Sequence, residues 1–380
     1  MSLRQIFPGG IVKPGFNPLA AQTTTTTYEN FIYGWGTNGD GQLGIGNTTS
    51  YSSPKQIGSL STWSVLAAGA ETNSAAIATD GTLWAWGLNN YGQLGDGTRT
   101  SRSSPVQIGA LTNWSTVVVG THNVLALKTD GTMWGWGYNA SGNLGLGNTT
   151  NYSSPKQVGS LNTWVSVGAG NAHGGAVKSD GTMWVWGDGG QGQLGLGNTS
   201  NYSSPKQVGS LTNWAKIANG GYARTFALKT DGTIWTWGFG NNGANGLGNT
   251  TAYSSPKQIG ALTSWLKVVA SFYNSHAIKT DGTLWAWGYN AFGQLGNGAS
   301  TNTSSPVQIG ALTDWSQVAP AYQHTAAVRT NGTAWAYGKG EQGQLGQSNL
   351  TNQSSPVQIG SATTWTGVAT GQHYTLAALT

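Results

Sequence analysis

The chain has 380 residues, of which 8% are charged and 11% aromatic, and it contains 60 Gly, 19 Trp and no Cys. So many aromatic residues with so little charge exclude a disordered chain, and the lack of Cys excludes disulfides and thiol chemistry. The formal charge of +5 is weak for this length, so no nucleic-acid partner is expected. No apolar run approaches the ~20 residues of a membrane span, so membrane insertion is not expected either.

Residues 1–28 are predicted to form an extended arm that precedes a propeller domain at residues 29–380. Pro and Gly recur through the arm, which disfavours a helix, and the arm lacks the apolar run of about 7–15 residues that a signal peptide needs. Apolar side chains nevertheless recur along it, at Ile6, Phe7, Ile11, Val12, Phe16 and Leu19. We interpret the arm as an attachment segment that docks the protein into a larger assembly.

The rest of the chain repeats with a period of 50 or 51 residues. Each unit is marked by Trp-x-Trp-Gly, with Tyr33 in the first place of the first unit; the residue before Gly is Trp35, Trp86, Trp136, Trp186, Trp237 or Trp287, with Tyr337 in the seventh unit. Ser-Ser-Pro and then a lone Trp follow in every unit at the same period. Seven copies with a period near 50 residues are typical of a propeller or a solenoid.

Each unit contains four short segments with the pattern of β-strands. In one unit residues 82–86 alternate, which places Trp84 and Trp86 on one face. Asp-Gly before them predicts a hairpin with residues 74–79, while residues 55–57 and 63–67 supply two more strands. Pro54 directly precedes residues 55–57, which indicates that this segment is an edge strand or that a strand begins there. Four strands per unit favour an all-β, seven-bladed propeller with Trp side chains between neighbouring sheets.

The two ends of the chain are predicted to complete one blade together. The last repeat stops at Thr380, before its Trp-x-Trp strand, and residues 31–36 match residues 82–87 position for position. Residues 31–35 are therefore expected to pair with residues 375–379. A ring closed in this way has no free blade edge, whereas a solenoid would need caps.

The motif Gly-Gln-Leu-Gly-x-Gly occurs at residues 41–46, 92–97 and 192–197, with Trp-Gly before it, Ser-Ser-Pro after it and Asp-Gly-Thr closing the unit. This combination resembles the regulator of chromosome condensation repeat, from Phe31 to Thr380. The resemblance implies a seven-bladed propeller. It does not imply one function, because the family includes a nucleotide exchange factor on chromatin, ubiquitin-ligase modules and a secreted bacterial inhibitor of β-lactamase.

Members of that family usually carry His near the start of the strand before Asp-Gly-Thr. The aligned residues here are Asn73, Asn123, His173, Arg224, Asn274, His324 and Tyr374. The blades also lack loop insertions, and the arm has only Arg4 and Lys13 as basic residues, so it does not match a chromatin-binding tail. A chromatin or GTPase regulator is therefore the third choice of function.

No residues fit a catalytic site, and no cofactor is expected. Five of the 12 acids are the Asp of hairpin turns, at Asp80, Asp130, Asp180, Asp231 and Asp281. Neither a Gly-x-Ser-x-Gly elbow nor a Walker motif occurs. The five His lie on five blades, at His122, His173, His276, His324 and His373. A metal site would require the propeller axis to gather several of them; solvated or partner-facing imidazoles are the simpler interpretation, and no metal is predicted.

Variation among the repeats concentrates at one end of the predicted propeller. Hairpin geometry brings the segments before and after each strand pair to that end, while the opposite end repeats Thr-Asp-Gly-Thr. Either the loops have drifted, or this end recognises a protein or glycan, as its residue types favour. The predicted binding face comprises Asn73, Asn123, His173, Tyr222, Arg224, Phe272, Tyr273, Asn274, Phe292, Tyr322, His324 and Tyr374. Arg224 and Tyr273 are expected to be exposed.

The first interpretation is a non-enzymatic structural or receptor-binding component of a phage particle. In that interpretation the arm binds other structural proteins of the virion and the propeller is displayed. The alternative is a free protein-binding propeller, acting as an inhibitor or a scaffold, in the bacterial cytoplasm or outside the cell. The two differ in what the arm does.

Overall fold

A computed structural model describes residues 23–25 and 31–380 of the chain. The described residues form seven antiparallel sheets of β-strands arranged as the blades of a ring, which confirms the all-β propeller. Three strands precede the first complete blade: β1 (Thr23–Thr25), β2 (Phe31–Gly36) and β3 (Tyr51–Gln56). The predicted attachment residues, from Ile6 to Leu19, lie outside the described residues.

Six blades are each built from four consecutive strands. Blade 1 contains β4 (Trp63–Ala68), β5 (Asn73–Ala78), β6 (Leu83–Gly87) and β7 (Arg102–Gln107). Blade 2 contains β8 (Trp114–Val119), β9 (Asn123–Lys128), β10 (Met133–Gly137) and β11 (Tyr152–Gln157). Blade 3 contains β12 (Trp164–Ala169), β13 (His173–Lys178), β14 (Met183–Gly187) and β15 (Tyr202–Gln207).

The next three blades follow the same order. Blade 4 contains β16 (Trp214–Gly220), β17 (Arg224–Lys229), β18 (Ile234–Gly238) and β19 (Tyr253–Gln258), with a short 3-10 turn at Asn241–Gly243. Blade 5 contains β20 (Trp265–Ala270), β21 (Asn274–Lys279), β22 (Leu284–Gly288) and β23 (Thr303–Gln308). Blade 6 contains β24 (Trp315–Pro320), β25 (His324–Arg329), β26 (Ala334–Gly338) and β27 (Gln353–Gln358).

Blade 7 joins the two ends of the chain, as the sequence predicts. Its strands are β28 (Trp365–Thr370), β29 (Tyr374–Leu379), β2 and β3, in that order across the sheet. The ladder between β2 and β29 runs from Phe31 opposite Leu379 to Gly36 opposite Tyr374. The strand that begins the propeller therefore completes the blade that ends it.

The first strand of each blade is the innermost one. Neighbouring inner strands contact each other all the way round the ring and surround a central channel. β1 pairs antiparallel with the channel edge of β4, with Thr23 opposite Ala67 and Thr25 opposite Val65. Three residues of the predicted arm therefore add a fifth strand to blade 1 inside the ring.

The second Trp of each Trp-x-Trp pair lies between two blades. Trp86 is fully buried, and its Nε1 donates to the carbonyl of Gln42 in the loop of the preceding blade at 2.9 Å. Trp84 is half-buried, and its Nε1 donates to Thr82 Oγ1 at 2.9 Å. Burial of an indole removes a large apolar area from water, so this ring of Trp residues holds adjacent sheets together.

Two of the recurring motifs meet at each junction between blades. Gly41 has a φ of +78°, and a Cβ there would lie 2.6 Å from the Cα of Ser103 in the Ser-Ser-Pro segment of the next blade. The amide of Gly46 donates to the carbonyl of Ser103 at 2.7 Å. The Gly-rich loop thus needs glycine both for its backbone conformation and for this close approach.

The outermost strands and the hairpin turns also agree with the sequence. Pro54 lies on the outer edge strand β3, where the ladder with β2 shifts register; an edge tolerates a residue without an N–H. The carboxylate of Asp80 accepts hydrogen bonds from the amide and hydroxyl of Thr82, at 2.9 and 2.7 Å. The turn Asp residues are thus structural. In the described part of the chain, no helix has the length and apolarity needed to cross a membrane.

Candidate functional site

The loops at one end of the propeller carry a continuous aromatic surface. We call this end, where the first strand joins the second and the third joins the fourth, the loop face. A group of seven partly exposed aromatic side chains there comes from three adjacent blades, 4 to 6. We define the aromatic patch as Tyr222, Phe239, Phe272, Tyr273, Tyr289, Phe292 and Tyr322.

Tyr273 lies at the centre of the aromatic patch. Its ring centroid is 5.6 Å from those of Tyr222 and Tyr322. It also lies 6.2 to 6.4 Å from the rings of Phe239, Phe272 and Tyr289. Burial and the neighbouring Tyr hydroxyls raise the pKa of Tyr273, so its phenol stays protonated near neutral pH. The patch is therefore an uncharged surface with hydroxyl groups, suited to apolar contact combined with hydrogen bonding.

Charged groups border the aromatic patch. Lys339 Nζ lies 5.0 Å from the centroid of the Phe292 ring and 3.3 Å from a carboxylate oxygen of Glu341. On the far side of the loop face, the ring of His122 lies 5.0 Å from that of Tyr91, and its Nε2 lies 3.3 Å from Glu71. The aromatic patch thus has the ion pair of Lys339 and Glu341 at its edge, and an apolar area with a polar rim is common at protein interfaces.

Seven residues of the predicted binding face are buried instead of exposed. They are the aligned residues that begin the second strand of each blade, namely Asn73, Asn123, His173, Arg224, Asn274, His324 and Tyr374. We call them the inter-blade belt. Each of these residues is the first residue of a strand, so its side chain alternates in direction with those that follow it. It therefore packs against the neighbouring sheet instead of extending into the loop. The other five, Tyr222, Phe272, Tyr273, Phe292 and Tyr322, are partly exposed.

Several belt residues bond to the following blade. His173 Nε2 and Thr225 Oγ1 are 3.1 Å apart, and Asn274 Nδ2 donates to the carbonyl of Ala321 at 2.8 Å. The hydroxyl of Tyr374 donates to the carbonyl of Asn73 at 2.8 Å, across the junction where the ring closes. Burial lowers the pKa of His173 to about 4, so this imidazole is neutral at neutral pH. The belt therefore links blades and does not offer charged groups to a ligand.

The predicted exposure of Arg224 is wrong. Its side chain is fully buried, and Nη2 donates to the carbonyl of Ser271 in blade 5 at 3.0 Å. Its guanidinium carbon lies 5.6 Å from the centroid of the Phe226 ring. Burial lowers the pKa of Arg224 to about 9. Arg224 lies within the sheet packing and supports the adjoining loops from below, while Tyr273 meets solvent only in part.

The sequence predicts solvated or partner-facing imidazoles, and three of the five are not solvated. His173, His276 and His324 are buried, whereas His122 and His373 are partly exposed. Across residues 31–380, no group of three or more His, Asp or Glu side chains is placed to hold a metal ion. The possibility that the propeller axis gathers these imidazoles therefore finds no support in this part of the chain.

Blade 6 differs from the others at its Trp position, and a buried polar cluster results. Tyr337 stands there, and its hydroxyl has no hydrogen-bond partner in the described structure. The ring of His276 from blade 5 lies 6.0 Å away, and neither of its nitrogens has a partner among the described residues. In blade 5 the equivalent pair is Trp287 with Phe226, 5.9 Å apart, and the indole donates to the carbonyl of Ala244.

We expect the double variant His276→Phe with Tyr337→Trp to be more stable than the parent by about 2 kcal/mol, because it removes unsatisfied buried polar groups and restores the indole hydrogen bond. Urea unfolding of the double variant and of both single variants measures this. Each single variant leaves one partner unmatched and should gain less. A double variant less stable than both single variants would contradict this interpretation of the cluster.

The ring closure and the exposed loop surface together define a binding propeller, a scaffold that presents loops at one end. The chain belongs to the family described as "Regulator of chromosome condensation (RCC1) repeat". That family model matches residues 29–77, 80–127, 130–177, 180–227, 231–277, 281–328 and 331–378. The resemblance inferred from the motifs is thereby confirmed.

Relatives with known names match only part of the chain. The ultraviolet-B receptor UVR8 of Arabidopsis thaliana is 40% identical over 84 residues, which are 22% of this chain and 19% of UVR8. The human E3 ubiquitin-protein ligase HERC2 is 32% identical over 98 residues, which are 25% of this chain and 2% of HERC2. Each aligned segment therefore covers less than a fifth of the relative.

A solved structure shares the whole ring. Prp20p of Saccharomyces cerevisiae superposes with a TM-score of 0.84 at 20% identity, covering 94% of this chain and 93% of that one. At that identity the likeness concerns the fold, and it agrees with the ring of seven blades described above.

Proposed function

We propose that this chain is a non-enzymatic, protein-binding propeller that recognises its partner with the loop face. The aromatic patch carries the proposal, because monomeric proteins rarely expose adjoining aromatic side chains without a function. Tyr and Phe supply large, rigid contact area at interfaces at low entropic cost. The patch lies on one arc of the ring only, so the partner would bind off the axis, over blades 4 to 6.

The family supports a protein as the partner. Prp20p is described with binding properties to Gsp1p and histones, and HERC2 is named as a ubiquitin-protein ligase. These descriptions belong to those proteins, and they favour the free protein-binding propeller over a glycan reader. None of the relatives named above is a virion component, so the phage particle, the virion location and the attachment role of the arm gain no support and stay predictions.

The test uses Tyr273→Ala against a control at the opposite end of the propeller, Leu211→Ala. Leu211 is an exposed apolar residue in the connection between β15 and β16, away from the loop face. A photo-crosslinker placed at residue 289 would first identify the bound protein in the native cell extract, and the affinity of the purified partner would then be measured by titration calorimetry.

We expect Tyr273→Ala to weaken binding by about 2 kcal/mol, roughly 30-fold, while Leu211→Ala binds like the parent. Both variants should melt close to the parent temperature, because neither side chain belongs to the core between blades. Equal affinity of Tyr273→Ala and the parent would exclude the aromatic patch as the recognition surface. Binding of a glycan array in place of a protein would exclude the protein partner.

A further inference from the structure

The third residues of the inner strands lie at one level of the channel wall, where most of their side chains are buried against the neighbouring inner strand and the two Lys side chains are partly buried. From blade 1 to blade 7 these residues are Val65, Thr116, Ser166, Lys216, Lys267, Gln317 and Gly367. Five consecutive blades thus place a polar side chain at this level, and none of the seven is acidic. The two Lys residues lie side by side on β16 and β20, whose strands contact each other.

Neither Lys forms an ion pair with a carboxylate of residues 31–380. In the described part of the chain, the ion pairs involve Arg102, His122, Arg329 and Lys339, and not these two residues. Lys267 Nζ donates to the carbonyl of Ser316 on the next inner strand at 2.7 Å. Lys216 Nζ forms no hydrogen bond with a described residue. Both side chains are partly buried, and Lys267 is close enough for its charge to disfavour the charged form of Lys216.

Other Lys residues in the blades show the contrast. Lys128 lies 3.8 Å from the ring centroid of Trp134, and Lys229 lies 3.9 Å from that of Trp235, so each ammonium group has an aromatic face as partner. Lys216 and Lys267 have no such face among the described residues. Burial, together with the charge of Lys267, lowers the pKa of Lys216 to about 7, and burial lowers the pKa of Lys267 to about 8.

We propose that Lys216 and Lys267 form an anion site in the wall of the central channel, which takes a small oxyanion such as a carboxylate or a phosphate group. Two adjacent ammonium groups repel each other until an anion lies between them, and charge-assisted hydrogen bonds to an oxyanion are strong. A small ligand is favoured because neighbouring inner strands touch and β1 occupies the channel on the side of blade 1. This site is separate from the aromatic patch and does not depend on it.

The test compares the melting temperature of the full chain in sodium phosphate, sodium succinate and sodium chloride at equal ionic strength. The probes are inorganic phosphate and succinate, so the two arms distinguish a phosphate from a carboxylate ligand. Phosphate also stabilises proteins generally by exclusion from their surface. The variant Lys216→Met with Lys267→Met separates that general effect from binding, and Lys206→Met, on outer strand β15, is the matched control.

Each probe is used at about 10 mM, which is on the order of 100 times a sub-millimolar Kd. We expect at least one probe to raise the Tm of the parent and of Lys206→Met by about 2 °C or more, relative to the Tm in sodium chloride. The double variant should show no such rise. Without any probe it should be at least as stable as the parent, because two unpaired buried charges are removed. Should it fail to fold, Lys216→Gln and Lys267→Gln are compared in the same way. An equal rise in parent and double variant, or no rise in the parent with either probe, overturns the site.

Discussion

Deletion of residues 1–36 is expected to prevent the propeller from folding as a stable monomer. The deletion removes β2, which lies between β29 and β3 in blade 7, and it takes with it the buried indole of Trp35. Two sheet edges and one Trp-lined face would then meet water, and exposed edges pair with other chains. We expect aggregation or a fall in Tm of well over about 10 °C, from the loss of many kcal/mol of packing.

The control is a deletion of residues 1–30, which keeps β2 and removes β1. We expect this variant to remain folded, because it loses only the short β1–β4 ladder and keeps the four-stranded core of every blade. Circular dichroism melts and light scattering measure both variants. A 1–36 deletion that melts like the 1–30 deletion would show that the closing strand is dispensable.

The second large effect is expected at the Trp between blades. Trp136 is 1% exposed, and its Nε1 donates to the carbonyl of Gln93 in blade 1 at 3.1 Å. Trp136→Ala should destabilise the protein by about 3–5 kcal/mol, since it leaves a cavity and an unpaired carbonyl in a junction that cannot collapse. Urea unfolding followed by the fluorescence of the remaining Trp residues measures the loss.

Trp134→Ala is the matched control on the same strand. Trp134 is half-buried at the edge of the cluster that Trp136 fills, and its contact with Lys128 and its hydrogen bond to Thr132 Oγ1 at 3.0 Å lie in its own blade. Its removal should cost about 1 kcal/mol. If both substitutions destabilise the protein equally, the junction between blades is not where the Trp ring acts.

The repeat makes the fold predictable from the sequence. Three motifs with one period fix the number of blades, and the match of residues 31–36 to residues 82–87 identifies the strand that closes the ring. Partners within a blade lie close in sequence, so hairpin signals such as Asp80-Gly81 suffice to order the strands.

The candidate site is only half predictable, for a physical reason. The residues Asn73 and Arg224 precede an apolar run and resemble loop positions, yet each is the first residue of its strand and packs towards another blade. What buries them lies about 50 residues away, which local patterns do not show; Arg224 bonds to Ser271. Phe239 and Tyr289 lie in variable segments but are absent from the predicted binding face, and only their ring contacts with Tyr273 bring them into the site.

The two Lys residues of the channel are absent from the sequence-based prediction. Their signal lies in the alignment of repeats, where Lys216 and Lys267 replace the small or apolar residue that Ser166 or Val65 represents in other blades. In these two repeats the charged residue stands two positions after the lone Trp, which is the third position of the inner strand. Its meaning requires the ring, because only closure brings the third residues of all blades to one level.

Blade 7 has a consequence for how the ring can be rewired. Phe31 lies opposite Leu379 at the end of the ladder where each other blade has its hairpin turn. The order of the strand ladders in the ring therefore does not depend on which blade contains the two chain termini. A circular permutant could join these two positions through a new turn and place its termini at the turn of another blade. It would retain the same ladders, so the position of the termini does not determine the architecture of the ring.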